Sequence, residues 1–309
     1  MEPESQNQEQ KKEKFNFGKF HDKHYKTLLL IPLVLLIIST IYMFTFYSQN
    51  KDFIIKDISL TGGTTVTLFE KVDANKLKQD LSSKLDDINT RDISDLITRE
   101  KKATIIETKS DAETTKKVLE DYLGYKLTTE NSSIEFTGST LSEGFYKQLL
   151  IAMVIAFIFM AIVVFILFRT FIPSSAVLIS AFADIFMTLV VVNFFGIKMS
   201  GAGIVAFLML IGYSVDTDIL LTTRVLKRTE DKLNVRIFGA FKTGITMTLT
   251  SLFAILAALI IVSSFSLILT QIFTVLAIGL GFDIFNTWVT NVSILKWYVI
   301  KKRGEENEN

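Results

Sequence analysis

Four aspartates sit inside otherwise apolar stretches of this 309-residue chain: Asp184, Asp216, Asp218 and Asp283. An ionisable side chain in such a run is costly to hold away from water and is a functional candidate by default. One chemistry they offer is proton handling, because a carboxylate in a low-dielectric surrounding gains and loses its proton as that surrounding changes. The other is structural, with the carboxylates accepting hydrogen bonds from neighbours such as Tyr213, Asn286 and Thr287 and fixing how helices pack. At about 1.5 Å per residue, Asp184 falls roughly 15 Å and Asp283 roughly 17 Å into their runs, near the middle. Asp216 and Asp218 are expected deeper along theirs. Lying two positions apart, about 200° on a helix, they cannot face one partner. Asp216 shares its face with Gly212, where a neighbouring helix can come close. The nearest bases, Arg224 and Lys242, stand at the ends of runs.

Other chemistries fit less well. An intramembrane aspartyl protease needs two facing carboxylates, one in a Gly-x-Gly-Asp context, and Gly279, Leu280, Gly281, Phe282, Asp283 misses that spacing by one residue. With no cysteine in the chain, thiolate catalysis, disulfides and zinc–cysteine sites are excluded. No Gly-rich loop ending in Lys-Ser or Lys-Thr is present, which argues against direct ATP hydrolysis. The expectation is a non-enzymatic protein with no cofactor, no metal and no nucleic-acid partner.

The elements that must position these aspartates are spanning helices. The chain is 49% hydrophobic yet 21% charged, with a mean hydropathy of +0.39, and the two kinds of residue are segregated. A spanning helix needs about 20 mostly apolar residues. Six runs qualify: Leu28 to Tyr47, Leu149 to Phe168, Ser174 to Phe195, Gly201 to Leu221, Gly244 to Val262 and Ile272 to Leu295. Lys and Arg collect on the cytoplasmic side of short loops. Six precede the first run, six lie from Arg224 to Lys242 and four from Lys296 to Arg303. Both termini are therefore expected in the cytoplasm, with segment 49–146 outside. The hydrophilic start (1–26) and the absence of a small-residue cleavage site make the first span (27–48) an uncleaved anchor. Residues 147–299 then form a five-helix region and 300–309 a cytoplasmic tail, in a multi-pass protein of the cytoplasmic membrane.

Segment 49–146 changes periodicity. Thr64, Val66 and Leu68 alternate with Thr65, Thr67 and Phe69, which predicts a strand. Asp73 opens an amphipathic helix through Leu77, Leu81 and Leu85. Two strands follow, Asp92 to Arg99 and Lys102 to Lys109, in a hairpin around Glu100 and Lys101. Ser110 and Asp111 open a second helix, ended by Gly124, before a last strand through Ile134 and Phe136. The order βαββαβ predicts a ferredoxin-like α+β domain between the first and second spans of a polytopic α-helical membrane protein. At its start, Thr61, Gly62, Gly63 and Thr64 form a tight turn whose glycines supply positive φ.

These pieces together resemble the SecF family of protein-export membrane proteins, in its archaeal form, within the resistance-nodulation-division superfamily. The resemblance runs from about Tyr25 to Tyr298. It is carried by Asp57 to Thr64, by Arg169 to Pro173, by Gly212, Tyr213, Ser214, Val215, Asp216, Thr217 and Asp218, and by Arg224 beyond them. It implies a partner, SecD, with a similar six-span core, and a place beside the SecY channel (SecYE) in the lipid bilayer. It also implies that the external domain meets the translocating polypeptide and that the span-four carboxylates sense the proton gradient. In bacterial relatives that stretch closes with Asn, Asp, Thr where this chain has Asp216, Thr217, Asp218, and an arginine stands in span five where this chain has Thr246. The alternative within the superfamily is a half-transporter exporting small molecules or lipids.

Overall fold

The computed structural model of the protein describes residues 27–95, 98, 100–227 and 232–308; the expected amino-terminal tail lies outside them. Among them, six helices are long and apolar enough to cross a membrane. The first is α1 (Leu30–Asn50). A single turn, α2 (Ile58–Thr61), leads into β1 (Gly63–Leu68), α3 (Ala74–Leu81), β2 (Asn89–Ser94), β3 (Lys101–Thr108), α4 (Ala112–Leu123) and β4 (Ser132–Thr137). Then come α5 (Ser139–Phe168), α6 (Phe171–Phe194), α7 (Gly201–Lys227), α8 (Leu233–Val262) and α9 (Leu267–Phe285). The last continues through a π-helical turn, Asn286–Asn291, into α10 (Val292–Glu308).

The helices overrun the apolar runs. α5 begins at Ser139 rather than Leu149, and α8 at Leu233 rather than Gly244. A helix needs its own backbone hydrogen bonds, not apolar side chains, so it continues past the segment that lipid requires to be apolar. α6 and α7 form the inside of the bundle. About half of the apolar stretch of each is buried, against 6% for α5, which lies on the outside and packs inward through residues such as Tyr146, Val164 and Phe168.

The four strands form one antiparallel sheet in the order β2-β3-β1-β4. Alternation along β1 and β3 sends Val66, Leu68 and Ile106 into a core with Leu77, Leu81 and Leu119 from α3 and α4. Asp73 starts α3 by accepting from the Asn75 and Lys76 N–H groups, and Asp111 starts α4 by accepting from Thr114 N–H. The expected second strand shifts: it starts at Asn89 and ends at Ser94, so the connection to β3 is a loop and not a tight turn at Glu100 and Lys101. That loop closes on itself, with Asp95 N–H donating to Glu100 O at 2.8 Å and Lys102 pairing with Asp95 at 2.6 Å. Leu96, Ile97 and Arg99 lie outside the described residues.

Gly62 and Gly63 have φ of +83° and +147°. A Cβ on Gly63 would stand 2.3 Å from Thr108 O, and one on Gly62 2.6 Å from the Ser139 backbone. The turn at the start of the sheet thus needs glycine both for its dihedrals and for the close passage of β3 and α5.

The sheet domain is stitched to one end of the bundle. Met199 N–H donates to Ile55 O at 2.6 Å, Asp57 N–H donates to Met199 O at 3.0 Å, and Asn193 donates to Phe53 O at 2.7 Å. On the far side of the sheet, Ser94 N–H reaches Ser264 O at 3.2 Å. Asp87 joins Lys109 at 3.1 Å to Lys198 at 2.8 Å. Burial raises the Asp87 carboxyl, but the two lysines outweigh it and hold it below its ordinary value.

Candidate functional site

Three of the four sequence-predicted aspartates meet in the middle of the bundle. Asp184 on α6, Asp218 on α7 and Asp283 on α9 are all completely buried. Asp184 accepts from Ser214 Oγ at 2.6 Å and from Asn286 Nδ2 at 2.7 Å. Asp218 Oδ1 accepts from Asn291 Nδ2 at 2.7 Å. Thr287 Oγ lies 2.9 Å from that same Asp218 oxygen and 3.2 Å from Asp283 Oδ1, while Thr248 Oγ on α8 is 3.4 Å from Asp283 Oδ2. Among the described residues no ion pair involves any of the three.

The local sequence explains the convergence. Ser214 and Asp218 are four apart on α7, as are Asp283, Thr287 and Asn291 along α9 and the π turn, so each set runs along one side of its helix. A π turn bonds i to i+5 and is frequent at functional sites; here Asn286, Thr287 and Asn291 all point inward. Asp184 is level with Ser214, one turn before Asp218 on α7, and Asp218 bonds Thr287 and Asn291, which lie beyond Asp283, so Asp218 is the furthest of the three from the sheet end.

One chemical consequence follows from counting hydrogens. A hydroxyl has one hydrogen and donates to one acceptor, yet Thr287 Oγ stands within hydrogen-bond distance of both Asp218 and Asp283. A hydroxyl so placed can share its hydrogen between the two acids, or donate to one and accept from the other when that one is protonated. One side chain thus links Asp218 to Asp283.

Access is unequal on the two sides. Toward the sheet domain the cluster is closed by Val192, Leu210, Val275, Leu276 and Leu280, all fully or almost fully buried. Toward the opposite end, buried polar atoms continue: Asp218 Oδ2, Asn291 Oδ1, Thr222 Oγ, Ser174 Oγ and Ser293 Oγ have no partner among the protein atoms described. Buried polar groups of this kind are ordinarily satisfied by water.

Asp216 is not part of the cluster. It is exposed on the outer surface of α7 together with Tyr213 and Gly212. A Cβ on Gly212 would meet nothing within 4 Å, so the close helix approach expected there is not made within this chain. Tyr213, expected to bond a carboxylate, points its ring outward, 40% exposed. Among the described residues Arg224 bonds no acid; its Nη1 donates to Gly239 O at 2.5 Å, joining α7 to α8. Thr61 Oγ donates to Asp57 O and Thr64 Oγ to Ser110 O, both structural bonds of the sheet domain. Sequence reasoning missed Ser214, Thr248 and Asn291, ordinary polar residues until their register is known. It also missed two buried bases near the Arg224 end, Arg236, which donates to Val225 O at 2.6 Å, and Lys296, 3.2 Å from Asn234 Oδ1.

Comparison with known proteins decides the family. Residues 116–301 match the family described as Protein export membrane protein SecD/SecF, C-terminal. The protein-export membrane protein SecF of Methanocaldococcus jannaschii is 40% identical over 92% of this chain and 99% of its own length. The chain belongs to the SecF family. The SecF of Methanothermobacter thermautotrophicus is 39% identical over 90% of the chain and 93% of its own. Among solved structures, SecDF of Thermus thermophilus, described as a translocon-associated membrane protein, superposes with a TM-score of 0.69 at 18% identity. It covers 92% of this chain, which spans 38% of that longer one, so most of this chain shares the fold of part of SecDF.

Proposed function

We propose that this SecF-family chain is a non-enzymatic subunit of the Sec protein-export machinery that pairs with SecD in the membrane and couples proton loading to polypeptide release. The βαββαβ domain is then ferredoxin-like and external. The termini are cytoplasmic, and the assembly stands beside the SecY channel. The Lys- and Arg-rich end of the bundle, where Arg224, Arg236 and Lys296 lie, supports this orientation.

The observation that carries the proposal is the division of α7. Asp218 faces the buried cluster while Asp216, two residues earlier, faces outward. A carboxylate turned to hydrocarbon costs about 2.5–3.5 kcal/mol on insertion scales. Beside it, the bare Gly212 surface leaves room for a helix backbone. A SecD helix carrying a hydrogen-bond donor satisfies both conditions. One helix then joins the partner contact to the proton-holding cluster, so a change in proton content is felt at the interface. The polar atoms from Asp218 to Ser174 and Ser293 give the proton an exit on the cytoplasmic side, and the apolar wall at Leu210 and Leu276 seals the other.

The test is co-purification of the tagged chain from membranes followed by secretion measured in reconstituted vesicles. Wild type brings down SecD and channel subunits. Asp216→Asn weakens SecD recovery, and Asp218→Asn leaves the complex intact while slowing secretion. Full secretion by Asp218→Asn in an intact complex refutes the coupling.

A further inference from the structure

The face of the sheet not covered by α3 and α4 is open, and it looks onto the end of the bundle across a cleft of about 450 Å³. Alternation places Thr65, Thr67, Ile105, Glu107, Glu135 and Thr137 on this face. The bundle wall opposite is apolar, with Phe145 and Ile268 46% and 57% exposed at the mouth. A smaller cavity of about 140 Å³ shares Arg91, Ile105 and Leu267 with the first and carries the groove on to Ile93. The groove therefore crosses all four strands. At about 4.8 Å between strands its run is roughly 14 Å, the length of about four residues of extended chain.

Fixed posts hold it open. The stitches from Ile55 and Asp57 to Met199 anchor one side, and the Ser94–Ser264 bond with the Asp87–Lys198 pair anchors the other. The groove is acidic. Arg91 is matched by Glu107 at 3.6 Å and Asp57 is held by Ser59, but Glu135 is exposed and has no ion-pair partner among the described residues. Burial raises the Glu107 carboxyl despite the neighbouring Arg91, which leaves the exposed Glu135 as the carboxylate free to meet a cation.

We propose that this groove is a binding site for an extended polypeptide segment in which apolar side chains alternate with basic ones. Apolar side chains pack on Phe145, Ile105 and Ile268, and a Lys or Arg of the segment pairs with Glu135. The inference rests on the export role above and gives the sheet domain a specific task in it, holding about four residues of emerging chain against the membrane end of the bundle.

The experiment places a photo-crosslinking residue at Thr67 or Thr137 in the groove, or at Lys117 on the exposed outer face of α4, in the complex reconstituted with its partner and channel. A preprotein stalled during translocation, with either Lys or Gln in its outer segment, is the probe. Expected are crosslinks from Thr67 and Thr137 but not from Lys117, lowered about tenfold by Glu135→Lys, a like-charge clash, and weakened when the segment carries Gln. Equal labelling at Lys117, or none in the groove while the complex still stimulates secretion, overturns the groove and leaves the export role standing. A complex that assembles without stimulating secretion overturns both.

Discussion

Asn291 donates its side-chain amide to Asp218 across 2.7 Å, tying the π turn to α7 at the level where the three buried acids meet. A donor lost from a buried carboxylate costs more than the bond was worth, because the acceptor stays buried. Asn291→Ala should therefore destabilise the purified protein by about 1.5–3 kcal/mol, read as a lowered unfolding midpoint in detergent. Asn291→Asp should be worse, since it sets a fourth acid against Asp218.

Thr287 is expected to matter more to function than to stability. Thr287→Val keeps the shape but removes the hydroxyl shared by Asp218 and Asp283, and secretion should fall by at least about tenfold, a positioned proton-transfer group being worth roughly 10²–10⁴-fold. Thr248→Val removes only the 3.4 Å contact and should leave secretion within about twofold. Equal losses in the two variants would show that Thr287 merely packs.

Asp216→Leu separates the outer surface from the cluster. In the isolated chain it should raise thermal stability, because it takes a carboxylate out of hydrocarbon at about 2.5–3.5 kcal/mol on insertion scales. In the cell it should lower recovery of SecD. Gly212→Ala should be silent in the isolated chain, where a Cβ meets nothing within 4 Å, and should also lower recovery of the complex.

The Asp87 clasp between the sheet domain and the bundle gives a pH dependence. The Asp87 carboxyl is held below its ordinary value in the folded protein by Lys198 and Lys109, which outweigh its burial. Its contribution is therefore present above the unfolded value of about 3.9 and lost as pH falls through the lower folded value. The carboxyl is partly exposed, so the effect is small. Spin labels on Lys117→Cys and Lys242→Cys, in a chain with no other cysteine, should report an unchanged distance distribution down to about pH 4 and a broader one only as the pH falls further, through the lowered folded value. In Asp87→Asn that broadening should already be present at neutral pH.

Gly63→Ala tests the turn into the sheet. With φ at +147° and a Cβ placed 2.3 Å from Thr108 O, the variant should lose about 3 kcal/mol or fail to accumulate. Gly124→Ala, at φ +78° with open space around it, should lose only about 1 kcal/mol; chemical denaturation of the two variants makes the comparison.

The spans and the order of strands and helices were legible because both are local properties. An apolar run announces itself residue by residue, and alternation in Thr64–Leu68 is visible within one strand. Helix ends were not, because α5 and α8 continue through charged residues such as Lys147, Arg236 and Lys242 that interrupt hydropathy without interrupting the helix. Asp184, Asp218 and Asp283 stood out by type. Their meeting was hidden, since it depends on the register of three helices and on a π turn that no composition announces. The opposite facing of Asp216 and Asp218 followed from helical geometry alone. The clasp at Asp87 and Lys198 was out of reach, because it joins residues 111 apart in the chain.

The π turn at Asn286–Asn291 also makes the last membrane helix intolerant of a particular kind of change. A turn of this type accommodates one residue more than an α-helix would, so deleting a single residue there restores ordinary winding and leaves the helix beyond it facing as before. The loss falls inside the turn, where Asn286, Thr287 and Asn291 would no longer all point at the buried acids and Trp288 would leave Phe241, now 5.1 Å away between ring centroids. A deletion at Val292 or Ser293 has no such slack to absorb it, and would turn the buried Leu295 and all that follows by about 100°.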